Sequence, residues 1–317
     1  MLFLKNTKYL PIISAIIYST IFGFSFMFSK IGLEVMTPIE LIAFRFLLAA
    51  LTMTALKVFK IIKVDLRGKN IKMVLLTSFC EPVLYFFFES MGISMTSSSE
   101  AGLMISLIPV FVAIFSMIFL HEKLNLYQLG FIALSVGGVV FINIMKDSLS
   151  LSGNFLGIIF LFLAIIASSF YNIGSKKSSM NFTPIEITYV MMWIGAISFN
   201  IILTITNLTK GTMKNYFTPL GDSQALIPLL YLGILSSIVA FFMVNYTISK
   251  IPVSQSAVFA NLCTIVSILA GVLILKEEFF WYDFIGAIMI LMGVWGTVYF
   301  GDKDNEEVLT QGELLEE

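Results

Sequence analysis

Polar residues come in short clusters along this chain, separated by apolar stretches of about 20 residues, the length of helix that crosses the hydrocarbon core of a bilayer. Ten such stretches can be marked, at approximately 9–31, 38–60, 71–94, 99–120, 124–145, 153–175, 184–207, 226–248, 252–275 and 281–300. Nothing alternates with period two for long enough to make a barrel strand. The first stretch is too long for a cleaved signal peptide and lacks a small-x-small cleavage site. Only the segments 61–70 and 208–225 exceed a few residues between spans, which leaves no room for a soluble catalytic domain. The pattern predicts an all-α integral membrane protein of ten transmembrane helices.

Composition agrees. The 317 residues are 58% hydrophobic and only 12% charged, about half the charge of an ordinary soluble domain. The 19 Lys and Arg balance 20 Asp and Glu, so no basic footprint points to nucleic acid. Outside the spans, thirteen basic residues fall on the side shared with the N-terminus and five on the other. Basic residues mark the cytoplasmic side, so both termini are expected in the cytoplasm of a multi-pass protein of the cell membrane. The tail 301–317, with seven acids and one lysine, is expected to be a solvated, disordered cytoplasmic extension.

The two halves echo one another. Thr37-Pro38-Ile39-Glu40 opens the second span and Thr183-Pro184-Ile185-Glu186 opens the seventh. Leu120-His121-Glu122-Lys123, with Gly130 and Gly137, is matched by Leu275-Lys276-Glu277-Glu278 with Gly286 and Gly293. This predicts two five-helix repeats, 9–145 and 153–300. An odd number of spans per copy makes the repeats inverted, an architecture of secondary transporters whose substrate site lies between the halves near mid-bilayer.

Three segments carry a family resemblance: Ala43-Phe44-Arg45-Phe46-Leu47-Leu48-Ala49-Ala50 in span 2, Ile108-Pro109-Val110 in span 4, and the Glu122 and Glu277/Glu278 endings before Gly-containing spans. Through them the chain resembles an EamA-type member of the drug/metabolite transporter superfamily over about residues 10–300. Asn261-Leu262-Cys263-Thr264-Ile265 departs from the pattern by lacking the matching proline. The resemblance implies ten helices in two repeats and transport of small metabolites, often amino acids and related compounds, usually by export.

Ionisable residues inside apolar spans are costly and mark functional candidates. Glu81, Tyr85 and Glu89 recur every four residues, on roughly one face of span 3. Glu81 stands near mid-membrane, with Pro82 expected to kink the helix beside it. Arg45 is the one arginine within a span, roughly 10 Å deep. Glu89, at similar depth, is its expected partner, as a structural pair or as part of the site. Tyr171, Asn172, Trp193, Asn245, Tyr246 and Asn261, with Gln255, complete the substrate-binding candidates, although helix–helix hydrogen bonding is the plainer explanation of any one of them. Gly130, Gly137 and Gly138, with Gly286, Gly293 and Gly296, give spans 5 and 10 smooth faces for a scaffold or a homodimer seam.

No GxxxxGK[ST] loop is present for ATP, and one histidine without a cysteine cluster supports neither a metal site nor a hydrolase triad. The expectation is a non-enzymatic secondary active transporter without cofactor or metal, whose partners are a small molecule, the lipid bilayer and protons as a second cargo. A passive channel or a structural membrane protein is the alternative.

Overall fold

The computed structural model describes residues 9–95, 104–146, 155–274, 276 and 278–314, with side chains placed as far as Gly301 apart from residue 146. The helices are α1 (Leu10–Leu33), α2 (Pro38–Val58), α3 (Lys72–Met95), α4 (Ile108–Phe119), α5 (Leu126–Lys146), α6 (Phe155–Ser178), α7 (Pro184–Lys210), α8 (Ser223–Lys250), α9 (Val253–Leu273) and α10 (Trp281–Leu314). Among the described residues nine are long and apolar enough to cross a membrane, and α4 is shorter. The expected span 99–120 is therefore helical chiefly over Ile108–Phe119, with 96–103 outside the described residues. Pro109 in the first turn sets that start, because proline suits a helix N-terminus, where no backbone donor is needed.

Sequence signals place several ends. The repeated Thr-Pro-Ile-Glu motif forms a capping box on both α2 and α7: Thr37 pairs with Glu40, and Thr183 with Glu186. Gly211, at φ 70°, closes α7 in the left-handed conformation that glycine adopts without strain. The tail departs from expectation, since α10 continues as helix to Leu314.

Packing follows the repeat. Within the first-to-second-half contacts, α3 lies on α6 as α8 lies on α1, and α4 lies on α6 as α9 lies on α1. The pairs α2–α7 and α5–α10 map onto themselves. This is the pattern of a two-fold relation between halves: ten helices in two inverted five-helix repeats. The α5–α10 seam is the scaffold contact that the glycine faces of these spans were expected to make. A Cβ on Gly138 would stand 2.7 Å from the Gly286 carbonyl oxygen, and one on Gly293 2.6 Å from that of Phe131. Gly138, Gly286, Gly293 and Gly296 thus pack inside one chain, where close approach supplies the contact that lipid cannot, while Gly130 faces open space.

Candidate functional site

Two helices are interrupted, and they are counterparts in the repeat. In α3, the helix breaks within Phe79–Leu84, where Glu81 is extended, at φ −142° and ψ 120°. Pro82 follows it, so the expected break beside the carboxylate is present. In α8, the run Tyr231–Ala240 is π-helical and carries Ser236 and Ser237. π-turns inside helices recur at functional sites, because the extra residue re-aims side chains and frees backbone groups. Gly195 lets α7 meet the α3 break: a Cβ there would lie 2.8 Å from Cγ of Pro82 and 3.0 Å from the Phe46 ring.

Between these interruptions sit the ionisable residues. Arg45, 7% exposed, donates from Nε to Ser237 Oγ at 2.7 Å and from Nη2 to Ser236 Oγ at 3.0 Å. Its guanidinium carbon lies 5.3 Å from the Phe46 ring centre and 5.2 Å from that of Phe86, within cation–π range. Glu81, 9% exposed, accepts from the Ser168 hydroxyl at 3.1 Å. Half-buried Glu89 accepts from the Tyr85 hydroxyl at 2.7 Å, one helical turn away. Arg45 interacts electrostatically with both carboxylates.

The expected Arg45–Glu89 ion pair is absent: no such pair lies within 4.0 Å, and the only ion pair shown among the described residues joins Lys69 to Glu186. The serine hydroxyls on α8 claim the guanidinium instead. They reach it because α8 passes close to α2 at Gly233, where a Cβ would stand 3.2 Å from the Arg45 carbonyl oxygen. Among described residues, the sealed side-chain polar atoms without partners are Asn207 Nδ2 and Gln255 Nε2. Any unbonded oxygen or nitrogen on Arg45, Glu81 or Glu89 therefore opens onto accessible space.

The other candidates divide. Tyr171 joins the neighbourhood of Glu81 and donates to Asn245 Oδ1 at 3.1 Å. Asn245 is fully buried, accepting also from Ser175 at 2.6 Å and donating to Thr188 at 3.1 Å, which makes it a crosslink of α6, α7 and α8. Asn172 donates to the Ser168 carbonyl, one turn back, beside the hydroxyl that holds Glu81. Trp193 instead donates to Thr54 at 3.0 Å, Tyr246 stacks on Phe242, and Asn261 donates to Ser135 at 3.0 Å on the α5 side. None of these three contacts the charged cluster. An apolar cavity of about 390 Å³ opens between α3, α4 and α6, lined by Leu76, Phe119 and Phe170 among others, with Lys177 at its edge. It includes Cys80 but neither Glu81 nor Glu89.

Comparison with known proteins fits this arrangement. The EamA-like transporter family matches twice, at residues 10–144 and 155–299. The chain belongs to the EamA-like transporter family. As an EamA protein it is a multi-span membrane transporter of small molecules and not an enzyme. It is 37% identical over 289 residues to "Uncharacterized transporter YcxC" of Bacillus subtilis, covering 90% of this chain and 91% of that one. It is 24% identical over 294 residues to "Probable amino-acid metabolite efflux pump" of Escherichia coli, covering 90% and 93%. A crystal structure superposes with a TM-score of 0.73 at 14% identity, covering 92% of this chain and 97% of that one, a likeness of fold alone.

Proposed function

We propose that this EamA protein is a secondary active exporter of amino acids or related metabolites bearing both an ammonium and a carboxylate, working by alternating access around Arg45, Glu81 and Glu89. The observation that carries the reading is the cluster's charge: one cation held by neutral hydroxyls and two carboxylates held by hydroxyls, with no ion pair among them. A substrate carboxylate suits the guanidinium fork, and a substrate ammonium suits a glutamate. With both glutamates ionised the cluster has one negative charge in excess; a zwitterionic substrate adds no net charge, so a proton on one glutamate is what neutralises the loaded site in a membrane interior. Tyr85 supplies aromatic surface for the apolar part of the ligand. The efflux-pump relative supports export of this class. The excess of basic residues on one side supports a cell-membrane orientation with both termini cytoplasmic.

Purified protein in liposomes, preloaded with unlabelled amino acids and given labelled ones outside, tests the proposal. Counterflow is expected for at least one amino acid, as a carrier and not a channel would show. Glu81→Gln should remain inserted and monodisperse, glutamine being nearly isosteric, while flux falls at least about tenfold, the factor equivalent to 1.36 kcal/mol. Undiminished flux in Glu81→Gln, with pH-driven accumulation intact, would assign that carboxylate to packing and defeat the reading.

A further inference from the structure

The capping box at the start of α7 also fastens the two halves together. Glu186, 4% exposed, accepts the Thr183 N–H at 2.8 Å, as its capping role requires. It also receives Lys69 Nζ at 2.9 and 2.8 Å and the Asp65 N–H at 3.1 Å. Lys69 and Asp65 belong to the strap 59–71 that follows α2. A second fastening lies on the same side of the membrane: Glu122, before α5, accepts the Val253 N–H at 2.7 Å and the Ser254 hydroxyl at 2.8 Å at the start of α9.

The inverted repeat places the same parts at the opposite face. The segment 211–222 follows α7, and the start of α2 carries the same Thr-Pro-Ile-Glu box. There the Glu40 carboxylate bonds only its own Thr37, through the N–H and the hydroxyl, both at 2.8 Å. Lys214, exposed on that segment, forms no ion pair among the described residues. Yet the segment is already close: the Tyr216 ring packs edge-on against Phe44, 5.8 Å between centres, one helical turn from Glu40. One strap is fastened, and its twin packs on α2 a helical turn from Glu40 without being fastened to it.

We propose that Lys214–Glu40 is the counterpart of Lys69–Glu186 and that the two ion pairs alternate in the transport cycle, each closing one face while the other is open. Closing the far face brings Lys214 onto Glu40, and the release of Lys69 from Glu186 opens the near one. Each carboxylate keeps its capping role throughout, so a helix start remains intact while its strap comes and goes. The inference concerns the gates and not the cargo, and it stands whichever substrate the cluster binds.

The test reads one face while perturbing the other. In a Cys80→Ser, Cys263→Ser background, Glu40→Cys with Lys214→Cys is treated with a short bis-maleimide in membranes, and cross-linking is read as protection from a polyethylene-glycol maleimide. Adding Lys69→Gln should raise the initial cross-linking rate about two- to fivefold, the ratio carried by a partly exposed ion pair. Glu186→Gln, which retains the capping box, should do the same, and Lys69→Arg should leave the rate at baseline. Cross-linking that never occurs, or a rate equal in all four proteins with monodisperse elution, overturns the alternation. An increase with Lys69→Arg as large as with Lys69→Gln would show general loosening and overturn it too.

Discussion

Ser236 and Ser237 hold a buried guanidinium without adding charge to the membrane interior. That choice leaves Arg45 positive and geometrically fixed, where a carboxylate partner would have neutralised it. Removing either hydroxyl should cost about 1–3 kcal/mol through a less well satisfied buried donor. A double-mutant cycle on thermal stability should find the coupling of Arg45→Ala with Ser237→Ala larger than that of Arg45→Ala with Glu89→Gln, since only the first pair is in contact. Equal couplings would contradict the geometry. The ionisable members were legible in the sequence because charge within an apolar run is rare. The serines were not, because a helix serine can satisfy itself on the carbonyl four residues back. Ser169 does so with Ile165 while its neighbour Ser168 turns to Glu81. One sequence contains nothing that separates the two.

At the scale of elements, the α3 break depends on close approach by α7. Gly195→Val should lower stability by about 1–3 kcal/mol through overpacking against Pro82 and Phe46. Gly130→Ala, with nothing within 4 Å of its Cβ, should not lower it. Equal melting temperatures for the two variants would refute the approach. Nine spans and both capping boxes could be read from hydropathy and the Thr-Pro-Ile-Glu repeat. Hydropathy reports partition into lipid, not helix propensity: it placed span 10 at 281–300, as the apolar stretch Trp281–Gly301 agrees, but gave no sign that the helix runs on past it. The tail, rich in the helix formers Glu and Leu, continues as helix.

For the whole molecule, the inverted relation fixes which segments share a face. Impermeant maleimide should label Phe217→Cys in intact cells and Arg67→Cys only after permeabilisation, both positions being exposed. The reverse would invert the orientation, and labelling of both from outside would break the repeat. The mutual packing of α2 with α7 and of α5 with α10 could not be read from the chain, because the repeat states which helices are equivalent and not which ones touch.

The α5–α10 seam has a consequence in time. Gln128 on α5 and Thr297 on α10 are bonded across 169 positions of sequence. At about 5–20 residues per second of synthesis, α5 waits roughly 8–34 seconds for its partner to be made. During that interval its glycine face has only lipid, or a passing helix, to lie against. A nascent chain that stops short of α10 therefore displays a smooth, unmated surface to the bilayer, which the finished chain covers with its last helix.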